Sequence, residues 1–175
     1  MNIYLTGYRC TGKTSIAALL AEHLNRDAVD SDDMLVEDAG SPVSEIVALN
    51  GWDVFREMEK ATMERISRMD GVVVSTGGGA ILNNDNVTCM KKTGVVIWLK
   101  ATPETIHNRM AGDGKTEAQR PSLTKKGLYD EIEDVLRQRA PLYEQAMDFA
   151  VDTDNRDITE IRDIIIKELL CREIP

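Results

Sequence analysis

The sequence predicts an α/β protein in three layers, with a central parallel sheet of about five strands covered by helices on both faces. Three observations predict it. Short β-rich runs alternate with longer helical patterns, which is how a parallel sheet with crossover helices is written. The first run passes through a glycine turn directly into a helix. A length of 175 residues is near the roughly 150 expected of one domain, so residues 1–175 read as a single unit.

The elements follow in order. Ile3 to Thr6 is the first strand, and a helix is expected near Lys13 to Leu24. Ala28 to Asp30 is a short second strand, followed by polar and helical segments up to about Met69. Val72-Val73-Val74 and Val95-Val96-Ile97-Trp98-Leu99 are the third and fourth strands, and Phe149-Ala150-Val151 the last. Thr102-Pro103-Glu104 opens a helix with a capping hydroxyl and Pro at its first position. Ile158, Ile161, Ile165 and Leu169 give a terminal helix one apolar stripe. Two stretches fit the sheet pattern poorly, an excursion over 33–61 and a polar segment over 111–126. Long stretches without clear structure are often functional, so the first is expected to bind substrate and the second to be a mobile lid.

Composition narrows the function classes. Thirty acidic against twenty-one basic residues leave a net charge of −9, which argues against nucleic acid or an anionic membrane as partner. A few well-placed arginines can still make a positive pocket for a small anion. Three cysteines, Cys10, Cys89 and Cys171, have no metal-ligand spacing and read as reduced thiols. No signal-peptide pattern opens the chain, and no apolar run approaches the roughly 18 residues of a membrane span. A cytoplasmic monomer is expected.

Gly7-Tyr8-Arg9-Cys10-Thr11-Gly12-Lys13-Thr14 matches G-x-x-x-x-G-K-[ST] between a strand and a helix. Its backbone N–H groups and the helix N-terminus surround a polyphosphate, Lys13 bridges the outer phosphates, and the Thr14 hydroxyl ligates Mg²⁺. The motif binds a nucleotide but does not name the reaction, because kinases, switches and motors share it. No Asn-Lys-x-Asp segment is present to read a guanine base. Asp30-Ser31-Asp32, after the second strand, places two carboxylates toward the crevice where α/β proteins bind ligands. An acidic turn or a helix cap explains the pair equally well. Gly77-Gly78-Gly79 follows the third strand and is best explained by close approach of backbone to a ligand, a plain turn being the alternative. Arg56 and Arg139 are ordinary surface charges unless they converge on a carboxylate, which guanidinium groups bind bidentately.

Taken together, the set resembles the shikimate kinase family, a group of P-loop kinases. The family pattern has a Walker loop, Asp-x-Asp, Phe-Arg, Gly-Gly-Gly, Arg-Pro-x-Leu in a lid and Arg-x-Pro-Leu-Tyr on a helix. Here these are Gly7 to Thr14, Asp30-Ser31-Asp32, Phe55-Arg56, Gly77 to Gly79, Arg120-Pro121-Ser122-Leu123 and Arg139 to Tyr143, in that order along nearly the whole chain. The resemblance implies ATP-dependent phosphorylation of shikimate to shikimate 3-phosphate, a step toward aromatic amino acids. It implies nucleotide binding by Cys10, Thr11, Gly12, Lys13, Thr14 and Ser15, with Arg120 closing over the phosphates and Arg156 near the adenine. It gives Mg²⁺ to Thr14 and Asp30. The acceptor hydroxyl falls to Asp32, the shikimate carboxylate to Arg56 and Arg139, and the ring hydroxyls to the amide of Gly78. Lys13, Asp32 and Arg120 would be catalytic. Cys10 stands where the family commonly has Gly, and a side chain in so tight a nest costs about 1 kcal/mol. The alternatives are a gluconate or nucleoside-monophosphate kinase and, outside kinases, a nucleotide-dependent switch or binding protein.

Overall fold

The computed structural model describes residues 1–112 and 127–174. Five strands, β1 (Asn2–Thr6), β2 (Ala28–Asp30), β3 (Val73–Ser75), β4 (Gly94–Lys100) and β5 (Phe149–Asp152), form one parallel sheet in the order β2-β3-β1-β4-β5. The helices are α1 (Lys13–Leu24), α2 (Ser31–Ala39), α3 (Val43–Ile66), α4 (Asn84–Thr93), α5 (Pro103–Gly112), α6 (Leu128–Ala146) and α7 (Ile158–Cys171), with a 3₁₀ turn at Ala80–Leu82.

Side chains of a strand alternate between its faces, so a sheet covered on both sides needs apolar residues at every position. Ile3 and Leu5 of β1, with Ile97 and Leu99 of β4, pack against Ile16 and Leu20 of α1 and Ile161 and Ile165 of α7. Tyr4, Val96 and Trp98 point the other way, against Met63 and Ile66 of α3, Met90 of α4 and Tyr143 of α6. Each fully buried aliphatic side chain contributes about 1.5–3 kcal/mol of transfer free energy, so a mainly aliphatic layer holds one face, while Tyr4, Trp98 and Tyr143 share the other with Val, Ile and Met side chains.

The third strand starts one residue later than its valine run predicts. The Val72 N–H donates to the Asn2 side-chain oxygen at 3.2 Å instead of entering the ladder. The excursion over 33–61 is helical, formed by α2 and most of α3. Asp30 caps α2 by accepting from the N–H groups of Asp32 and Asp33. At Gly51 the chain of α3 adopts φ +81° and ψ 171°, a conformation open only to glycine, and turns before continuing. Leu35, Ile46 and Phe55 are buried together, with the half-buried Trp52 packed against them. The expected lid, with Arg120, falls outside the described residues apart from 111 and 112.

Because β1 is central, the loops leaving β1, β2 and β3 open side by side at the carboxyl edge of the sheet. That edge is where open α/β sheets bind ligands.

Candidate active site

A cavity of about 550 Å³ opens at this edge and runs from the loop after β1 to α3 and α6. Its volume suits a nucleotide phosphate tail together with a small second molecule.

One end is the phosphate loop. Gly12, at φ +92°, delivers the chain into α1, whose first N–H groups face the cavity. The buried Lys13 folds back over the loop, its Nζ donating to the carbonyls of Gly7 at 3.0 Å and Tyr8 at 2.8 Å. Thr11 is also buried and uses its hydroxyl to close the loop, donating to Tyr8 at 2.8 Å. Cys10 occupies the left-handed region at φ +60°, so the departure from Gly places a side chain where backbone strain arises. The Arg109 guanidinium of α5 steadies that residue, donating to the Cys10 carbonyl at 3.3 Å and to the Thr153 carbonyl at 2.6 Å. Arg9 pairs at 2.9 Å with Glu131, which is almost fully buried in the first turn of α6. Neither contact leaves a mark in the local sequence.

Between the two ends lies a group of oxygens. The Thr14 hydroxyl donates to Asp30 Oδ2 at 2.9 Å and lies 3.2 Å from the Ser75 hydroxyl. Asp30 therefore both caps α2 and faces the phosphate loop, so the two readings of this carboxylate are compatible.

At the other end, α2 and α3 and the triple glycine converge. Glu59, buried and unanticipated from the sequence, accepts from Arg56 Nη1 at 2.7 Å. Burial pushes its carboxyl above the ordinary Glu value, nearby Asp32 adds to the rise, and Arg56 opposes it. The Arg56 guanidinium also lies over the rings of Trp52 and Phe55, at 5.4 and 5.1 Å from their centroids. From α6, Arg139 Nη1 donates to the Gly78 carbonyl at 2.9 Å. Trp52, Arg56, Glu59 and Arg139 all line the cavity with Asp32.

Close neighbours explain the three glycines, side chains at Gly77 and Gly79 and backbone at Gly78. A Cβ at Gly77 would lie 2.6 Å from Asp32 Oδ1 and 2.9 Å from Glu59 Oε1, and one at Gly79 2.4 Å from both terminal nitrogens of Arg56. A Cβ at Gly78 would come within 3.3 Å of the Gly7 carbonyl oxygen. The loop is bare so that the site's own carboxylates, arginine and phosphate loop can close on it. Gly77 N–H donates to the buried Ser31 hydroxyl at 2.9 Å, tying the loop to α2.

Arg156 stands apart. It is exposed after β5, with Nη1 donating to the Asp152 carbonyl at 3.1 Å, and it does not line the cavity.

A family model described as shikimate kinase matches residues 9–170. The chain belongs to the shikimate kinase family. Its shikimate kinase relative from Rhodopirellula baltica is 39% identical over 166 residues, covering 95% of this chain and 89% of the relative. One from Symbiobacterium thermophilum is 37% identical, covering 97% and 96%. Among solved structures, shikimate kinase from Acinetobacter baumannii in complex with shikimate superposes with a TM-score of 0.92 at 28% identity, covering 99% of this chain and 95% of that one. Deoxyadenosine kinase from M. mycoides, at 12% identity and a TM-score of 0.63, shares the fold.

Proposed function

We propose that this chain transfers the γ-phosphoryl group of ATP to the 3-hydroxyl of shikimate, releasing ADP and shikimate 3-phosphate. One observation carries the reading. A single cavity holds a phosphate loop at one end and, at the other, a carboxylate with two arginines suited to a small carboxylated polyol.

The transition state of phosphoryl transfer is loose, so alignment and charge neutralisation are the protein's main contributions. Lys13 is to exchange its two backbone carbonyls for phosphate oxygens when nucleotide binds, a modest exchange because each partner is an oxygen acceptor. Asp32 holds the acceptor hydroxyl in line and takes its proton late. An aspartate carboxylate is a weak base toward an alcohol, so orientation outweighs proton abstraction. Arg56 and Arg139 bind the shikimate carboxylate, and the Gly78 amide its ring hydroxyls.

The oxygens of Thr14, Asp30 and Ser75 fit the donor set of a hard divalent ion, so Thr14 and Asp30 would hold Mg²⁺. When bound, Mg²⁺ neutralises charge on the β- and γ-phosphates. Among the described residues no helix is long and apolar enough to cross a membrane.

The test is ADP release by a coupled assay with shikimate, gluconate or a nucleoside monophosphate as acceptor, and with none. The reading expects a large stimulation by shikimate alone. Equal or greater stimulation by another acceptor, or none by any, overturns it.

A further inference from the structure

We propose that the Tyr143 hydroxyl is a positioning group for the acceptor end of the site, acting through the carbonyl of Gly78. The inference rests on the functional reading above and concerns a residue that touches no reacting atom.

Tyr143 is fully buried on α6, and its ring stacks on Trp98 of β4 at 5.4 Å between centroids and 15° between planes. The ring is therefore fixed, and its hydroxyl donates at 2.7 Å to the Gly78 oxygen. The same oxygen receives Arg139 Nη1 at 2.9 Å. Residues 139 and 143 are one helical turn apart, so one face of α6 supplies both donors. A carbonyl oxygen has two lone pairs, and both are taken.

Two consequences follow. Three successive glycines leave the backbone unusually free to rotate, yet Asp32, Glu59 and Arg56 pack into the space that Gly77 and Gly79 leave bare. Anchoring the Gly78 carbonyl stops the peptide between Gly78 and Gly79 from turning over, and so holds the surface on which the Arg56 guanidinium rests. The second consequence concerns Arg139. If its guanidinium turns to present two N–H groups to a carboxylate in the cavity, its bond to Gly78 lengthens or breaks. Tyr143 keeps that carbonyl hydrogen-bonded meanwhile, so Arg139 can turn without stranding a buried acceptor. Burial pushes the Tyr143 phenol up to about 12, the nearby Arg139 opposing, so it stays a donor at working pH.

A merely structural tyrosine would affect melting and both substrates alike, whereas a positioning one separates them. In Tyr143→Phe the ring stack is kept and one donor removed. The expected result is a KM for shikimate raised about tenfold with the KM for ATP within about twofold of wild type. Should the Phe variant not fold, p-aminophenylalanine and p-fluorophenylalanine placed at 143 both fill the ring's space. Only the first can donate, and it should restore the shikimate KM while the fluorinated ring does not. If wild type phosphorylates shikimate and the non-donating variants keep its KM within about twofold, the inference is overturned alone. If wild type leaves shikimate unphosphorylated, the functional reading falls, and this inference with it.

Discussion

Replacing Gly79 with Ala tests whether the triple glycine exists to make room for Arg56. The added Cβ would lie 2.4 Å from both terminal guanidinium nitrogens and 2.7 Å from Cζ, against an ordinary contact limit near 3.4 Å. Something must give by about 1 Å. Gly79 has φ −108° and ψ 0°, a region that other residues enter, so the backbone carries little strain. The Arg56 side chain is 23% exposed and flexible, so it yields first. That shift breaks its 2.7 Å bond to Glu59 and moves it away from an acceptor carboxylate. A charge-assisted hydrogen bond contributes about 1.5–3 kcal/mol, which converts to an increase of about 10- to 150-fold in the KM for shikimate. The melting temperature should fall, because the buried Glu59 carboxylate loses this partner and that outweighs the reduced freedom of the unfolded chain. Steady-state kinetics with each substrate varied, beside a thermal melt, gives the answer. A folded variant with unchanged shikimate KM would refute the steric argument.

Lys13→Met should lower kcat by at least about 10³-fold with the fold retained, since the ammonium lies on the phosphate loop at the cavity rather than in the apolar core; near-normal turnover in a folded variant excludes the assigned role. Asp32→Asn should lower kcat by about 10²–10⁴-fold while ATP affinity holds, and an equal loss of ATP affinity in equilibrium titration would move Asp32 to the metal. Glu59 gives a pH test. A carboxyl raised in the folded state contributes stability that is complete below its ordinary value of 4.5 and is lost as pH rises through the folded value. The stability of wild type relative to Glu59→Gln should therefore fall with pH over that window in urea denaturation, and a rise would contradict the assignment.

The phosphate loop was legible because strand, turn and helix are written in fourteen consecutive residues. The Asp-x-Asp pair was legible as chemistry, although only the structure shows that Asp30 caps a helix and meets Thr14 at once. Glu59 was not, because an Arg and a Glu three apart on a helix read as an exposed pair. Burial against the bare glycine loop is what changes its character, and that contact spans the fold. The glycines signalled a close approach without saying of what. Arg109 and Glu131 act across elements distant in sequence, on single residues with no local pattern. Arg156 matched by position along the chain, but the structure leaves it exposed and apart from the cavity.

Arg56 and Arg139 line the end of the cavity remote from the phosphate loop, where we propose that they read a carboxylate. The most direct measurement is kcat/KM for shikimate against an analogue lacking the carboxylate, in wild type and in Arg56→Ala, Arg139→Ala and the double variant. A carboxylate clamp should make the analogue worse by about 2–4 kcal/mol with wild type, with a smaller gap in each single variant. Because both arginines act on one group, the double variant should lose less than the sum of the singles. Equal use of the analogue and of shikimate by the wild-type chain would contradict the claim.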